Sequence, residues 1–137
     1  MNLIIDIGNT RVKAAVFEND SLLELLVFDV KELLEKIDFF LLKYAIHKGI
    51  LSSVKVLPEK LLSSLKEKVS FLILDSQTKV PFVNLYTTKS TLGVDRMALV
   101  AFASVNYKNK NVLILDAGTC ITYDFINSKN EYLGGAI

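Results

Sequence analysis

Tryptophan is absent from this 137-residue chain, and cysteine, histidine and proline are almost so, with one, one and two copies. A lone cysteine, Cys120, excludes an intrachain disulfide framework and fits a reducing compartment. Neither sign of charge dominates: sixteen Lys and Arg against fifteen Asp and Glu leave +1, so no field draws nucleic acid or an anionic membrane. No run approaches the ~18 uninterrupted apolar residues that a membrane helix needs. The apolar N-terminus is broken at Asp6 with no basic stretch before it, unlike a signal peptide. The expectation is a cytoplasmic protein with small-molecule or protein partners, acting on neither nucleic acid nor membrane. What is plentiful is apolar: 51% of residues are hydrophobic, enough for a packed body, and the length suits one ordinary domain rather than two complete ones.

Residues 2–8 and 12–17 read as two strands joined by a Gly-Asn-Thr turn, and residues 22–28 as a third, so a sheet opens as an antiparallel meander. Leu33, Leu34, Ile37, Leu41 and Tyr44 recur at helical spacing and predict a helix over 31–46, with Asp29 as its cap. A strand over 49–55, a helix over 58–68 opened by Pro58, and a strand over 71–74 follow. Strand-helix-strand passages imply parallel crossovers, hence a mixed sheet covered by helices. Residues 75–93 read as a loop with one extended segment at 83–86, and 94–107 as a third helix with Met97, Leu99, Val100 and Phe102 as its apolar surface. The expected division is a first domain over 1–90, a substrate loop and linking helix over 91–110, and the start of a second domain over 111–137.

Residues 3–19 (LIIDIGNTRVKAAVFEN) are echoed by 113–127 (LILDAGTCITYDFIN), with Asp6 matching Asp116, Gly8 matching Gly118 and Thr10 matching Thr119. Two copies of one unit are suggested. The second copy would be truncated, leaving a second meander that ends at residues 131–137 with an exposed apolar face and an unpaired edge.

A carboxylate at the end of a buried strand, followed at once by Gly and Thr or Asn, suits phosphate: backbone N–H groups aim outward and glycine lets the anion approach closely. Asp6-Ile7-Gly8-Asn9-Thr10 and Asp116-Ala117-Gly118-Thr119 both have this form; either alone is also what a tight turn looks like. Facing each other across a cleft, two such loops could hold a nucleoside triphosphate, with Asp6 and Asp116 toward cations. Lys13 could reach a phosphate or simply face solvent. At the start of the third helix, Asp95 suits the helix dipole and could equally act as a general base toward an acceptor hydroxyl. Arg96 is disfavoured by that dipole, so an anion is expected opposite it, either Asp95 or a substrate. Asp124 is either on a solvated face or in support of a site. His47 and Cys120 carry ordinary structural readings.

With Asp6-Ile7-Gly8-Asn9-Thr10-Arg11-Val12-Lys13, Gly93-Val94-Asp95-Arg96, Asp116-Ala117-Gly118-Thr119 and Gly134-Gly135-Ala136-Ile137 in this order, the chain resembles the type III pantothenate kinases of the actin, sugar kinase and Hsp70 superfamily. The resemblance implies an α/β fold with a ribonuclease H-like mixed sheet, duplicated, with the second copy incomplete. It further implies a homodimer that phosphorylates pantothenate from ATP with Mg²⁺ and a monovalent cation, K⁺ or NH₄⁺, toward coenzyme A. Carried over by motif, Asp6, Ile7, Gly8, Asn9, Thr10, Arg11, Val12, Lys13 and Thr119 contact ATP, and Asp116 binds the monovalent cation. Asp95 is the proton acceptor, and Tyr86, Gly93, Val94, Asp95 and Arg96 contact pantothenate. The alternatives are a kinase for another small acceptor, a nucleotide-binding accessory protein and an actin-like assembly protein.

Overall fold

The computed structural model describes residues 1–137, which form a mixed α/β protein with two mixed sheets in two compact units, Met1–Leu74 and Asp75–Ile137. In the first unit β1 (Asn2–Ile7), β2 (Val12–Glu18) and β3 (Ser21–Phe28) form the expected meander. Helix α1 (Leu33–Lys43), β4 (Lys48–Ser53), α2 (Glu59–Lys68) and β5 (Ser70–Ile73) follow, and the sheet order is β3-β2-β1-β4-β5, with β4 and β5 parallel to their neighbours.

Alternation along the strands sets the core. Leu3, Ile5 and Ile7 stand opposite Val16, Ala14 and Val12 in register, and all six are buried. Leu33, Ile37 and Phe40 of α1 and Leu65 of α2 cover that face. The other face carries one apolar row through all five strands, Leu25, Ala15, Ile4, Ile50 and Leu72, whose members Leu25, Ile50 and Leu72 are exposed.

Asp29 caps as expected, its Oδ1 accepting from the Lys31 amide at 3.0 Å, but a 3-10 turn over Val30–Glu32 comes before the α-helix. The helix also ends at Lys43 rather than at residue 46. Tyr44 turns to extended backbone, and its hydroxyl donates to Glu24 Oε2 of β3 at 2.9 Å, a tertiary contact that helical continuation would break. Pro58 lies just outside α2, where its carbonyl accepts from the amides of Leu61 and Leu62.

The second unit contains β6 (Val83–Asn84), α3 (Val94–Asn106), β7 (Val112–Ala117), β8 (Ile121–Ile126) and β9 (Glu131–Ala136), in sheet order β6-β9-β8-β7. This unit begins at Asp75. Residues 75–90 pack with the second unit because β6 pairs parallel to β9, the Val83 and Leu85 amides donate to Asn130 O and Tyr132 O, and Phe82 is buried beside Tyr132. Met97, Val100 and Ala103 of helix α3 are buried in the same core with Ile126 and Tyr132. Phe102, expected as apolar packing surface, is 60% exposed. The anticipated bare face is present, with Leu113, Leu115, Ile121, Tyr123 and Leu133 exposed and β7 at the sheet edge. No helix is long and apolar enough to cross a membrane.

Phe40 is fully buried and Leu42, two residues on, is 89% exposed. Phe40→Ala is expected to lower stability by about 3–5 kcal/mol and Leu42→Ala by less than ~0.5 kcal/mol, as read from urea unfolding midpoints.

Candidate active site

Both sheets place an aspartate one residue short of a tight loop, on the first strand of a hairpin. Asp6 pairs in register with Lys13 and Ile7 with Val12, leaving a loop over 8–11. Asp116 pairs with Thr122 and Ala117 with Ile121, leaving a loop over 118–120. Gly8 N–H donates to Arg11 O and Gly118 N–H to Cys120 O, each at 3.0 Å, and these bonds close the two loops. The amides that follow, of Asn9, Thr10 and Arg11 in the first loop and of Thr119 and Cys120 in the second, make no backbone–backbone hydrogen bond. Successive N–H groups on a turn form a concavity for anions.

Within the first loop, Asn9, Thr10 and Arg11 are exposed, as is Lys13 on β2, whereas the Ile7 and Val12 side chains are 1% exposed and belong to the core. Two further residues stand at this loop without any sequence signal. Lys55, from the segment after β4, donates through Nζ to Asn9 O at 2.6 Å. Ser52 lies beside Asp6 in the parallel register, and its Oγ is the one buried side-chain polar atom with no hydrogen-bond partner.

The remaining predicted residues all belong to the second unit. Gly93 begins α3, and a Cβ there would collide with Asp95 Oδ1, so the bare Cα is what lets the Asp95 carboxylate fold back over the helix start. The same Oδ1 accepts from the Arg96 amide at 2.9 Å, which also gives Asp95 the capping role weighed for it. Val94 is half-buried. The anion opposite Arg96 is neither of those expected; it is Asp124 of β8. Arg96 Nε donates to its two oxygens at 3.1 and 3.0 Å and Nη2 to Oδ1 at 2.7 Å, with side chains 8% and 1% exposed.

Aromatic rings complete this cluster. Tyr132 donates through its hydroxyl to Asp124 Oδ1 at 2.5 Å, Tyr86 stacks on Tyr132 at 6.0 Å between centroids, and Arg96 lies 5.8 Å from the Tyr86 ring centre. Tyr86 and Arg96, predicted on separate grounds, are thus brought together. Gly134 and Gly135 form the wall: Gly134 has φ of 109° with the Tyr86 ring against it, and a Cβ on Gly135 would overlap the Tyr123 carbonyl and lie 2.8 Å from Asp124 Oδ1. Asp116, Ile114 and Val112 stand opposite Thr122, Asp124 and Ile126 in register, so Asp116 lies on the same face of the sheet as Asp124, two positions along β7 from Ile114.

Asp124 hydrogen bonds raise the Arg96 pKa against the opposing effect of burial. Burial first, and then the bond to Asp124, push the Tyr132 phenol well above its ordinary value. A raised folded value means that the stability tied to this proton is fully present below the unfolded tyrosine value, about pH 10, and is lost as pH rises through the folded value. Tyr132→Phe is therefore expected to be less stable than wild type at pH 9, with the gap narrowing above pH 10, as followed by denaturant midpoints across that range.

The family model for type III pantothenate kinase matches residues 2–137. The chain is 53% identical over 138 aligned positions to the type III pantothenate kinase of Christiangramia forsetii, with all of this chain and 57% of that protein covered. It is 46% identical to the Bacteroides fragilis enzyme, covering 100% of the chain and 56% of that protein, and 43% identical to the Flavobacterium johnsoniae enzyme, covering 100% and 57%. The chain therefore spans a little over half the length of these curated relatives. A match over 2–137 takes in both loops and the α3 motif together, and on that ground the chain belongs to the type III pantothenate kinase family.

Proposed function

We propose that the protein of which this chain forms at least a part transfers the γ-phosphoryl group of ATP to the hydroxyl of pantothenate, in the cytoplasm and as a homodimer, at an early step toward coenzyme A. The observation that carries this reading is the family match over residues 2–137, because one alignment includes two phosphate-type loops and the acceptor motif between them. The order β3-β2-β1-β4-β5 in the first sheet, and the equal placement of Asp6 and Asp116 in their hairpins, support a ribonuclease H-like unit present in two copies.

The residues suit the groups that such a reaction needs. Beside Asp6, Ser52 holds a buried hydroxyl with no partner, and the Asn9, Thr10 and Thr119 amides take no part in backbone–backbone hydrogen bonds, which suits phosphate oxygens. Mg²⁺ in its usual form is held by one or two carboxylates together with phosphates and waters. Asp6 is the residue assigned to that ion's shell, and the exposed Asp116 to a monovalent cation, K⁺ or NH₄⁺. When bound, Mg²⁺ neutralises charge on the transferring phosphoryl group.

The chain's own work is positioning and proton transfer. The loop over 8–11, with Lys13 beside it, and Thr119 orient the triphosphate through N–H and ammonium donors. Asp95 receives the proton of the acceptor hydroxyl as that oxygen attacks. Tyr86 and the Gly93–Arg96 loop hold the acceptor so that attack is in line, which supplies much of the rate in a reaction with little covalent chemistry for the protein to do.

In the full-length gene product, ADP release is expected to require pantothenate and to be faster in K⁺ than in Na⁺. Asp95→Asn should lower kcat by roughly 10²–10⁴-fold with the ATP KM little changed. ATP binding with no pantothenate-dependent ADP release would instead support the accessory-protein reading.

A further inference from the structure

We infer that Asp124 and Tyr132 are positioning residues for the acceptor: they fix the Arg96 guanidinium so that its remaining nitrogen meets the anionic end of a small hydroxy-acid substrate in one orientation. The inference rests on the kinase reading and adds two residues to it.

The geometry is one of divided labour within a single guanidinium. Nε and Nη2 are committed to Asp124, with Nη2 also 3.3 Å from the Tyr132 hydroxyl. Nη1 takes no part in this grip on Asp124 and Tyr132, and the side chain keeps 8% of its surface exposed. A planar guanidinium gripped along one edge cannot rotate, so the donors of Nη1 are aimed before any ligand arrives. Tyr86, stacked on Tyr132 and beside the Arg96 plane, restricts the guanidinium face as well.

Tyr132 has a separate part. Its hydroxyl donates to Asp124 Oδ1, the same oxygen that accepts from Nη2, and its raised pKa keeps that proton in place. Asp124 therefore stays an acceptor fixed from two sides. The two glycines show how closely the surroundings are drawn in, since a side chain at Gly135 would press on Asp124 and one at Gly134 on Tyr86. This buried pair fixes an arginine located next to the proposed base.

The test is steady-state kinetics of the full-length enzyme with Asp124→Asn and Tyr132→Phe, varying pantothenate and ATP separately. Asp124→Asn should raise the pantothenate KM roughly tenfold or more, the range of a lost charge-assisted hydrogen bond, while the ATP KM stays within about twofold. Tyr132→Phe retains the ring stacking and should show the same split, smaller in size, which keeps the test valid if Asp124→Asn does not fold. Equal changes in both KM values, or a fall in active fraction with both KM values intact, would mean a purely structural role and overturn the inference. A wild-type enzyme with no pantothenate-dependent turnover would overturn the kinase reading itself, an outcome distinct from wild-type activity with unaffected variants.

Discussion

The second unit depends on a buried ion pair at an awkward place. Arg96 sits in the first turn of α3, where the helix dipole disfavours a cation, and is 7% exposed. An arginine there is tolerable only with a full counter-charge, and Asp124 supplies it with two of the three guanidinium nitrogens engaged. Removing one partner of such a pair typically costs about 3–5 kcal/mol, because the other is left buried and uncompensated. The register of β8 against β9, the close approach of Gly135 and the inward hydroxyl of Tyr132 all serve that pair. The pair in turn ties the start of α3, and Asp95 with it, to the sheet.

The two hairpin loops show one solution used twice. In each, the glycine amide closes the turn and the amides after it make no backbone–backbone hydrogen bond, while the aspartate stands one step back on the strand. A carboxylate beside such N–H groups attracts cations and anions together, which is the combination a metal-bound phosphate presents. In the first unit a buried apolar pair, Ile7 and Val12, anchors the loop from below, so the donors are fixed by core packing rather than by the ligand.

Much of this was legible in the sequence where the signal is local. Apolar runs on either side of a Gly-Asn-Thr turn marked β1, β2 and β3; helical spacing marked α1 and α2; and the Asp-x-Gly repeats located both loops. The misses share one physical cause, which is pairing at long range. Helix α1 stops at Lys43 because Tyr44 bonds to Glu24, twenty residues earlier. The extended segment near residue 83 pairs as a two-residue strand, β6, with β9 across a separation that no local window spans. The dipole argument correctly required an anion opposite Arg96 but could not choose Asp124, 28 residues away; alternation on β8 left that aspartate either solvated or in support of a site. Ser52 and Lys55 gave no signal, since an orphan hydroxyl and a lysine on a loop acquire meaning only beside Asp6 and Asn9.

The most direct test of the central claim is the ¹⁵N-detected NMR signal of Arg96 Nε–H in the folded protein, assigned through Arg96→Lys. The account predicts a distinct resonance whose exchange with water is far slower than that of exposed arginines, and whose protection is lost in Asp124→Asn. A rapidly exchanging Arg96 Nε–H, or protection that persists without the Asp124 charge, would contradict it.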